Sequence, residues 1–208
     1  MYHRDVKRIP IALKVGFGVL FLVWGPVYAG HYGPTAFLWF CDLGNFLIMA
    51  GLCLESALLI SWAAIAVLLV QIAWTLDFGV ALVAGVHPFR ATMYMWDTGI
   101  PLHVRLFSLF HLAAPAVLIV ALKRLGYDRR ALAVQTLTAW IVLPVCYFFT
   151  SPTENLNWVF RPFGIEQTWL PPGAYLAACM LAYPLLLHLP SHLALRRLFR
   201  TPDGRAPG

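Results

Sequence analysis

Apolar residues run along the chain in six long stretches, roughly 10–30, 35–54, 57–80, 101–122, 131–150 and 171–195, broken only sparsely by polar side chains. A helix needs about 20 mostly apolar residues to cross a bilayer core, and each stretch has that length. The pattern predicts an all-α fold: an integral membrane bundle of six transmembrane helices, one domain over residues 1–208. The first stretch follows Arg4, Lys7 and Arg8, as in a signal peptide, but it continues through Val23 and Tyr28 and the next stretch follows almost at once. It is therefore read as a retained helix.

Polar positions between the stretches set the topology. The N-terminal flank (Arg4, Lys7, Arg8, Lys14), the fourth loop (Lys123, Arg124, Arg129, Arg130) and the tail (Arg196, Arg197, Arg200, Arg205) each hold four basic residues. Six spans put all three regions on one side and leave Arg90, Arg105 and Arg161 on the other. The positive-inside rule then predicts that both termini are cytoplasmic. The first two loops are tight, so the first three helices are expected to be antiparallel neighbours. The third and fifth loops, about 81–100 and 151–170, are long, lie outside and carry Phe89, Tyr94, Met95 and Trp96 in one, Trp158, Phe160, Phe163 and Trp169 in the other. Such segments anchor at the headgroups or cover a site.

Composition agrees with a membrane address. Apolar types make up 61% of the chain and charged types 12%, against about a quarter charged in soluble domains, which excludes disorder, a disulfide scaffold and a cytosolic enzyme. The net charge of +6 sits at segment ends, where it meets membrane lipids, and no nucleic-acid module accompanies it. Cys41, Cys53, Cys146 and Cys179 lie in apolar stretches without CxxC spacing and read as small buried hydrophobes. Gly16, Gly18 and Gly25 would permit close helix contacts, within one chain or in a homo-oligomer.

Ionisable groups at membrane depth call for a partner and a reason. At about 1.5 Å per residue from the outer boundary, Asp42 lies roughly 12 Å in, Asn45 one turn deeper, Gln71 about 12 Å in and His111 about 14 Å in, with Ser108 one turn above it. Asp77 and His103 come nearer the surface, with Asp97, His31 and His87 beyond. This predicts an outward-facing polar funnel with three readings. His111 could act as general base with Asp42 orienting it and Ser108 beside them. His111 and Asp42 could hold a divalent metal such as zinc, iron or manganese. The same groups could serve only to pack helices.

On the cytoplasmic side His188 and His192 stand four apart on one helical face, a spacing that suits two metal ligands, though Pro190 interrupts the turn and Arg196 and Arg197 mark a helix end. The fifth loop, TSPTENLNWVFRPFG, offers Glu154, Asn155 and Asn157 with Arg161 as its only strong cation. It reads as a lid presenting Glu154 and Arg161 to a headgroup, or as a turn-rich connector. There is no GxSxG, Walker, Rossmann or HExxH pattern. Only His111 lies near mid-span, which argues against a two-histidine haem, and the spans show no matching broken pairs of an inverted-repeat transporter.

The blocks FLWFCD, LGYDRRALAVQT and SPTENLNWVF resemble those of a family of bacterial polytopic membrane-associated proteins, over most of the chain from His31 to Arg197. The resemblance implies a bacterial inner membrane and brings no activity with it. Ser108, Asp42 and His111 are also the ingredients of alkaline-ceramidase-like membrane hydrolases, but the helix count is six rather than seven, and His188 and His192 lie at the opposite face from His111. Three functions are carried forward. One is a membrane-embedded enzyme acting on a lipid or amphiphile, with His111, Asp42 and Ser108 catalytic, Asn45, Gln71, Asp77 and His103 lining the pocket, and Glu154 and Arg161 reading the headgroup. Another is a carrier or binding protein for a proton, metal ion or small amphiphile. A structural subunit of a membrane complex is the third.

Overall fold

Helix lets a chain satisfy its own backbone groups in hydrocarbon, and the apolar stretches adopt it. The computed structural model describes residues 8–199, and no strand occurs among them. Arg4, Lys7, Arg200 and Arg205, counted above for topology, lie outside the described residues. The helices are α1 Ile11–Tyr32, α2 Phe40–Leu54, α3 Ala57–Ala84, α4 Leu102–Phe107, α5 Phe110–Leu125, α6 Ala131–Phe149, α7 Pro172–Ala182 and α8 Leu189–Leu198. α4 and α5 join in one rod, Leu102–Leu125; α7, a π-helical turn Tyr183–His188 and α8 join in another, Pro172–Leu198. Counting these two rods with α1, α3 and α6, five helices among the described residues are long and apolar enough to cross a membrane, the mark of a multi-pass membrane protein.

The second stretch departs from the single helix expected over 35–54. Gly33, at φ 78°, and Pro34 open a 3-10 turn, Pro34–Leu38; Trp39 is extended at ψ 133°, and only then does α2 begin. Its 15 residues span about 22 Å, against a hydrocarbon core of about 30 Å. Asp42 accordingly sits in the first turn of α2 rather than a third of the way down a longer helix. Two other rods are irregular. Ser108 and Leu109 interrupt the rod between α4 and α5 without a glycine or proline. Pro184 has no N–H to give the Met180 carbonyl; the Trp140 indole N–H on α6 takes that carbonyl instead, at 2.9 Å, and the chain widens into the π-helical turn.

α3 is the central rod, packed by α2, α5, α6 and α8. Ile48 and Leu52 of α2, Ile60 and Val67 of α3, and Leu118 and Leu122 of α5 fill the core between them. Close approach of α2 needs glycine: a Cβ on Gly44 would lie 2.5 Å from Val67 Cγ1, and one on Gly51 2.8 Å from Ile60 Cδ1. Gly18 faces Met49, whereas Gly16 and Gly25 have open space before them. A second core joins α6 and α7 to the fifth loop through Leu143, Cys146, Leu156 and Tyr175.

The two ends of the bundle differ. At the basic end the Lys14 ammonium donates to Glu55 at 2.7 Å, Arg124 reaches the Arg8 carbonyl at 3.4 Å, and the Tyr127 N–H meets the Phe199 carbonyl at 3.3 Å. Both ends of the described chain therefore lie there. The first, third and fifth loops meet at the opposite, loop end, where Thr35 donates to Glu154 at 2.7 Å. Val19, Leu22, Leu76, Val83, Phe148 and Phe149 are exposed on the sides, as suits a lipid-facing surface.

Candidate functional site

The break at Ser108 builds the centre of the site. With the helix interrupted, the Ser108 carbonyl accepts both the His111 backbone N–H, at 3.1 Å, and the His111 ring at Nδ1, at 2.7 Å. A carbonyl only accepts, so Nδ1 carries the proton and Nε2 keeps its lone pair. The ring is stacked between Trp74 of α3 (centroids 4.6 Å apart) and Phe110 (4.1 Å), and Nε2 has no hydrogen-bond partner among the described residues. The Ser108 hydroxyl pairs with the Tyr28 hydroxyl from α1.

The third loop roofs this level. Asp77, fully buried near the end of α3, accepts from the Phe89 N–H (2.7 Å), the Thr92 N–H (2.9 Å) and the Thr92 hydroxyl (2.6 Å). Thr92 has spent its one hydroxyl proton on Asp77, so its oxygen accepts from His87 Nδ1, at 3.0 Å. That clamp brings Tyr94 over the site, where the Trp74 indole N–H donates to its hydroxyl at 3.3 Å. Burial, with smaller contributions from the neighbouring Cys41 and Tyr32, pushes the Tyr94 phenol above its ordinary pKa, against the opposing pull of its hydrogen bonds with Ser108 and Trp74. The Arg105 guanidinium holds the same loop through the Met95 carbonyl at 2.8 Å.

Below the roof lie polar groups without partners. Among the described residues the Asp42 carboxyl, 3% exposed, has the Cys41 thiol, at 3.8 Å, as its only hydrogen-bond partner. Asn45 Oδ1, both amide atoms of Gln71 and the Trp24 indole nitrogen are buried and have no hydrogen-bond partner among the described residues. The Gly44–Val67 and Gly51–Ile60 contacts fix the register of α2 on α3, and extending it puts Asp42 within one turn of the level of Gln71. Gln71 is three residues from Trp74, on the same face. By this register Asp42, Gln71 and His111, drawn from α2, α3 and α5, lie buried at neighbouring heights under the third loop, with Asn45 a turn deeper. Asp42 does not bond the His111 ring, and the Ser108 hydroxyl is engaged with Tyr28.

The remaining sequence candidates lie elsewhere. Asp77 clamps the third loop and His103 is exposed without a hydrogen bond. Glu154, expected beside Arg161, ties Thr35 and the Ser151 N–H at 2.8 Å. Arg161 lines a separate cleft. At the basic end His188 and His192, whose spacing would also suit two metal ligands, turn to different partners: His188 Nε2 meets Gln135 at 3.3 Å and His192 Nδ1 meets the Tyr127 hydroxyl at 2.7 Å. Gln135 already accepts from the Trp62 indole at 2.8 Å, so its amide nitrogen donates to His188 Nε2. The proton of His188 then sits on Nδ1, which is buried and, like Ser191 Oγ, has no hydrogen-bond partner among the described residues. Among the described residues no three His, Cys, Asp or Glu side chains gather into a group able to hold a metal ion. The divalent-metal reading of His111 with Asp42 lacks a third such donor among the described residues.

Comparison with models of protein families, with curated proteins and with solved structures returned no match.

Proposed function

We propose that the chain is a six-span protein of the bacterial inner membrane, with both termini cytoplasmic, that binds a small cation (the proton included) or the polar head of an amphiphile in the layer beneath the third loop. Six spans count α2 as a short crossing completed by the preceding 3-10 turn, which keeps the basic end on one side as the positive-inside rule requires. The bacterial address rests on the resemblance of the FLWFCD, LGYDRRALAVQT and SPTENLNWVF blocks.

The observation that carries the binding reading is the unpaired Gln71 amide, level with a buried Asp42 carboxyl that has no cation partner among the described residues. Buried polar groups are almost always hydrogen-bonded, and a lone carboxylate in a low-dielectric interior costs several kcal/mol. A layer of this kind is completed by what it binds. Its free atoms are mostly acceptors, namely the Asp42 carboxyl, Asn45 Oδ1, Gln71 Oε1 and His111 Nε2, which favours a positively charged or N–H-bearing ligand.

The hydrolase reading has one feature in its support, the His111 tautomer locked with Nε2 free to accept a proton. Against it, the Ser108 carbonyl rather than Asp42 orients His111, and Tyr28 rather than His111 engages the Ser108 hydroxyl. The binding reading is tested with the proton as probe: proteoliposomes carrying a trapped pH dye are given an inward proton gradient. Wild-type protein is expected to acidify the lumen faster than Asp42→Asn, and equal rates would remove the proton as ligand. Ester-substrate turnover that survives Asp42→Asn but is lost in His111→Ala would return the enzyme to first place.

A further inference from the structure

On the far side of the loop end, the fifth loop and the ends of α6 and α7 enclose a cleft of about 320 Å³. It is separate from the layer under the third loop. Its walls include Tyr147, Phe160, Arg161, Glu166, Gln167 and Tyr175. Tyr147 and Phe160 stack at 5.1 Å, which makes one wall an aromatic platform. Tyr175 is fixed opposite by its hydroxyl, which donates to the Trp158 carbonyl at 2.9 Å.

The cation in the cleft is built in place. Asn155 holds the backbone of Arg161 from both sides, accepting its N–H at 2.9 Å and donating to its carbonyl at 2.8 Å. The guanidinium then gives one N–H to the Pro152 carbonyl at 2.9 Å and one to Glu166 at 3.2 Å. A guanidinium has five donors, so three stay free. The Glu166 side chain is 79% exposed, and ion pairs of that kind contribute about 0–1 kcal/mol, so a better-placed anion displaces it. Around the cleft the surface is apolar: Phe148, Phe149, Phe163, Ile165 and Trp169 are all exposed, and tryptophan is a residue type enriched at the headgroup level.

We propose that this cleft binds the phosphate of an anionic phospholipid headgroup. Arg161 takes the phosphate oxygens in the forked geometry that guanidinium and phosphate share. The Tyr147–Phe160 platform covers the glycerol region, and the acyl chains follow the exposed Phe148 and Phe149 into the bilayer. This site does not depend on the ligand of the layer beneath the third loop.

The test is retention of phosphatidylglycerol by protein in nanodiscs of mixed phosphatidylglycerol and phosphatidylcholine, read by native mass spectrometry. Wild-type protein is expected to keep phosphatidylglycerol in preference to phosphatidylcholine, and Arg161→Ala to lose about tenfold of that retention, the scale of a charge-assisted hydrogen bond. Glu166→Gln, which removes the competing carboxylate at an exposed position, should raise it. Unchanged retention in a folded Arg161→Ala overturns the proposal. If Arg161→Ala fails to fold, Glu166→Gln decides: higher retention supports the site and unchanged retention overturns it. Displacement of the lipid by excess inorganic phosphate would also overturn the assignment, because the cleft would then serve free phosphate.

Discussion

The Asn157 side chain, carried by the fifth loop, caps the backbone of Phe40 across 117 residues of sequence: its Oδ1 accepts the Phe40 N–H at 3.0 Å, while its Nδ2 donates to the Leu38 carbonyl at 2.7 Å. Phe40 is the first residue of α2, and Trp39 before it offers no side-chain oxygen of its own. An apolar helix beginning this near the membrane leaves N–H groups that water does not reach, and the fifth loop satisfies one of them. Asn157 does so from the left-handed region, at φ 49°, which asparagine tolerates better than most residues. Asn157→Ala loses the cap and strains the backbone, and is expected to lower stability by about 2–3 kcal/mol. Asn157→Gly loses the cap alone and should cost less, about 1–2 kcal/mol. Thermal unfolding in detergent measures both; an Ala variant no worse than the Gly variant would show that the strain is absent.

Gly44 is where α2 touches α3. An added methyl would meet Val67 Cγ1 at 2.5 Å inside a filled core, so Gly44→Ala is expected to destabilise by about 1–3 kcal/mol through overpacking, outweighing the helix propensity it gains. Gly44→Ala combined with Val67→Ala should recover part of that loss, because the two side chains would no longer compete for one space. Additive losses in the double variant would mean that α2 and α3 do not approach as closely as described.

Much of the architecture was legible because hydrophobic length alone decides which stretches become membrane-length helices; α1, α3 and α6 begin and end within four residues of their expected limits. The break at Ser108 was not legible, since LFSLFH contains neither glycine nor proline; the interruption goes with the local bond from the Ser108 carbonyl to the His111 ring and with the Tyr28 hydroxyl, 80 residues away in sequence, which only the packed bundle brings to Ser108. Counting residues put Asp42, Gln71 and His111 at one depth, but it placed Asp42 well inside a longer helix where the structure has it in the first turn of α2, and it could not tell that Asp42 leaves His111 unbonded, because residue counting gives height and not azimuth. Tyr94 was named among the aromatics of a third loop expected to anchor at the headgroups or cover a site, whereas Tyr28 and Trp74 sit in apolar runs that give their polar atoms no separate signal. Gln135 was overlooked as well, although a glutamine in a span, level with a histidine in another, was a readable signal.

Gln135 joins three rods: it accepts from Trp62 of α3 and donates to His188 of the last rod. Gln135→Leu strands the Trp62 N–H and leaves His188 without its acceptor contact, at about 1–3 kcal/mol for each buried unsatisfied group. Replacing all three together, Trp62→Phe, Gln135→Leu and His188→Leu, removes the donors with the acceptors and is expected to be closer to neutral than the single change. Chemical denaturation compares them. Isotope-labelled histidine NMR should find the His188 proton on Nδ1, and a proton on Nε2 instead would contradict the order of donors derived from Trp62.

The fourth loop gives a pH-dependent prediction. The Arg130 guanidinium grips Asp128 through Nη2, at 2.8 Å, and through Nε, at 3.2 Å, and the Arg130 N–H adds a bond at 2.9 Å. These hold the Asp128 carboxyl below its ordinary pKa of 3.8. A carboxylate whose folded pKa is depressed stabilises the fold fully above its unfolded pKa and loses that contribution as pH falls through the folded value. Asp128→Asn should therefore melt below wild type at neutral pH, by a margin that stays constant down to about pH 5 and then shrinks as the solution is acidified below the ordinary carboxylate value. The position makes the effect visible: the Asp128 N–H also donates to the Ser61 hydroxyl of α3 at 2.8 Å, so the turn that carries the ion pair is fastened to the central rod. Melting curves of the two proteins across that range provide the measurement, and a margin that widened on acidification would reverse the sign and exclude a carboxylate held ionised by Arg130.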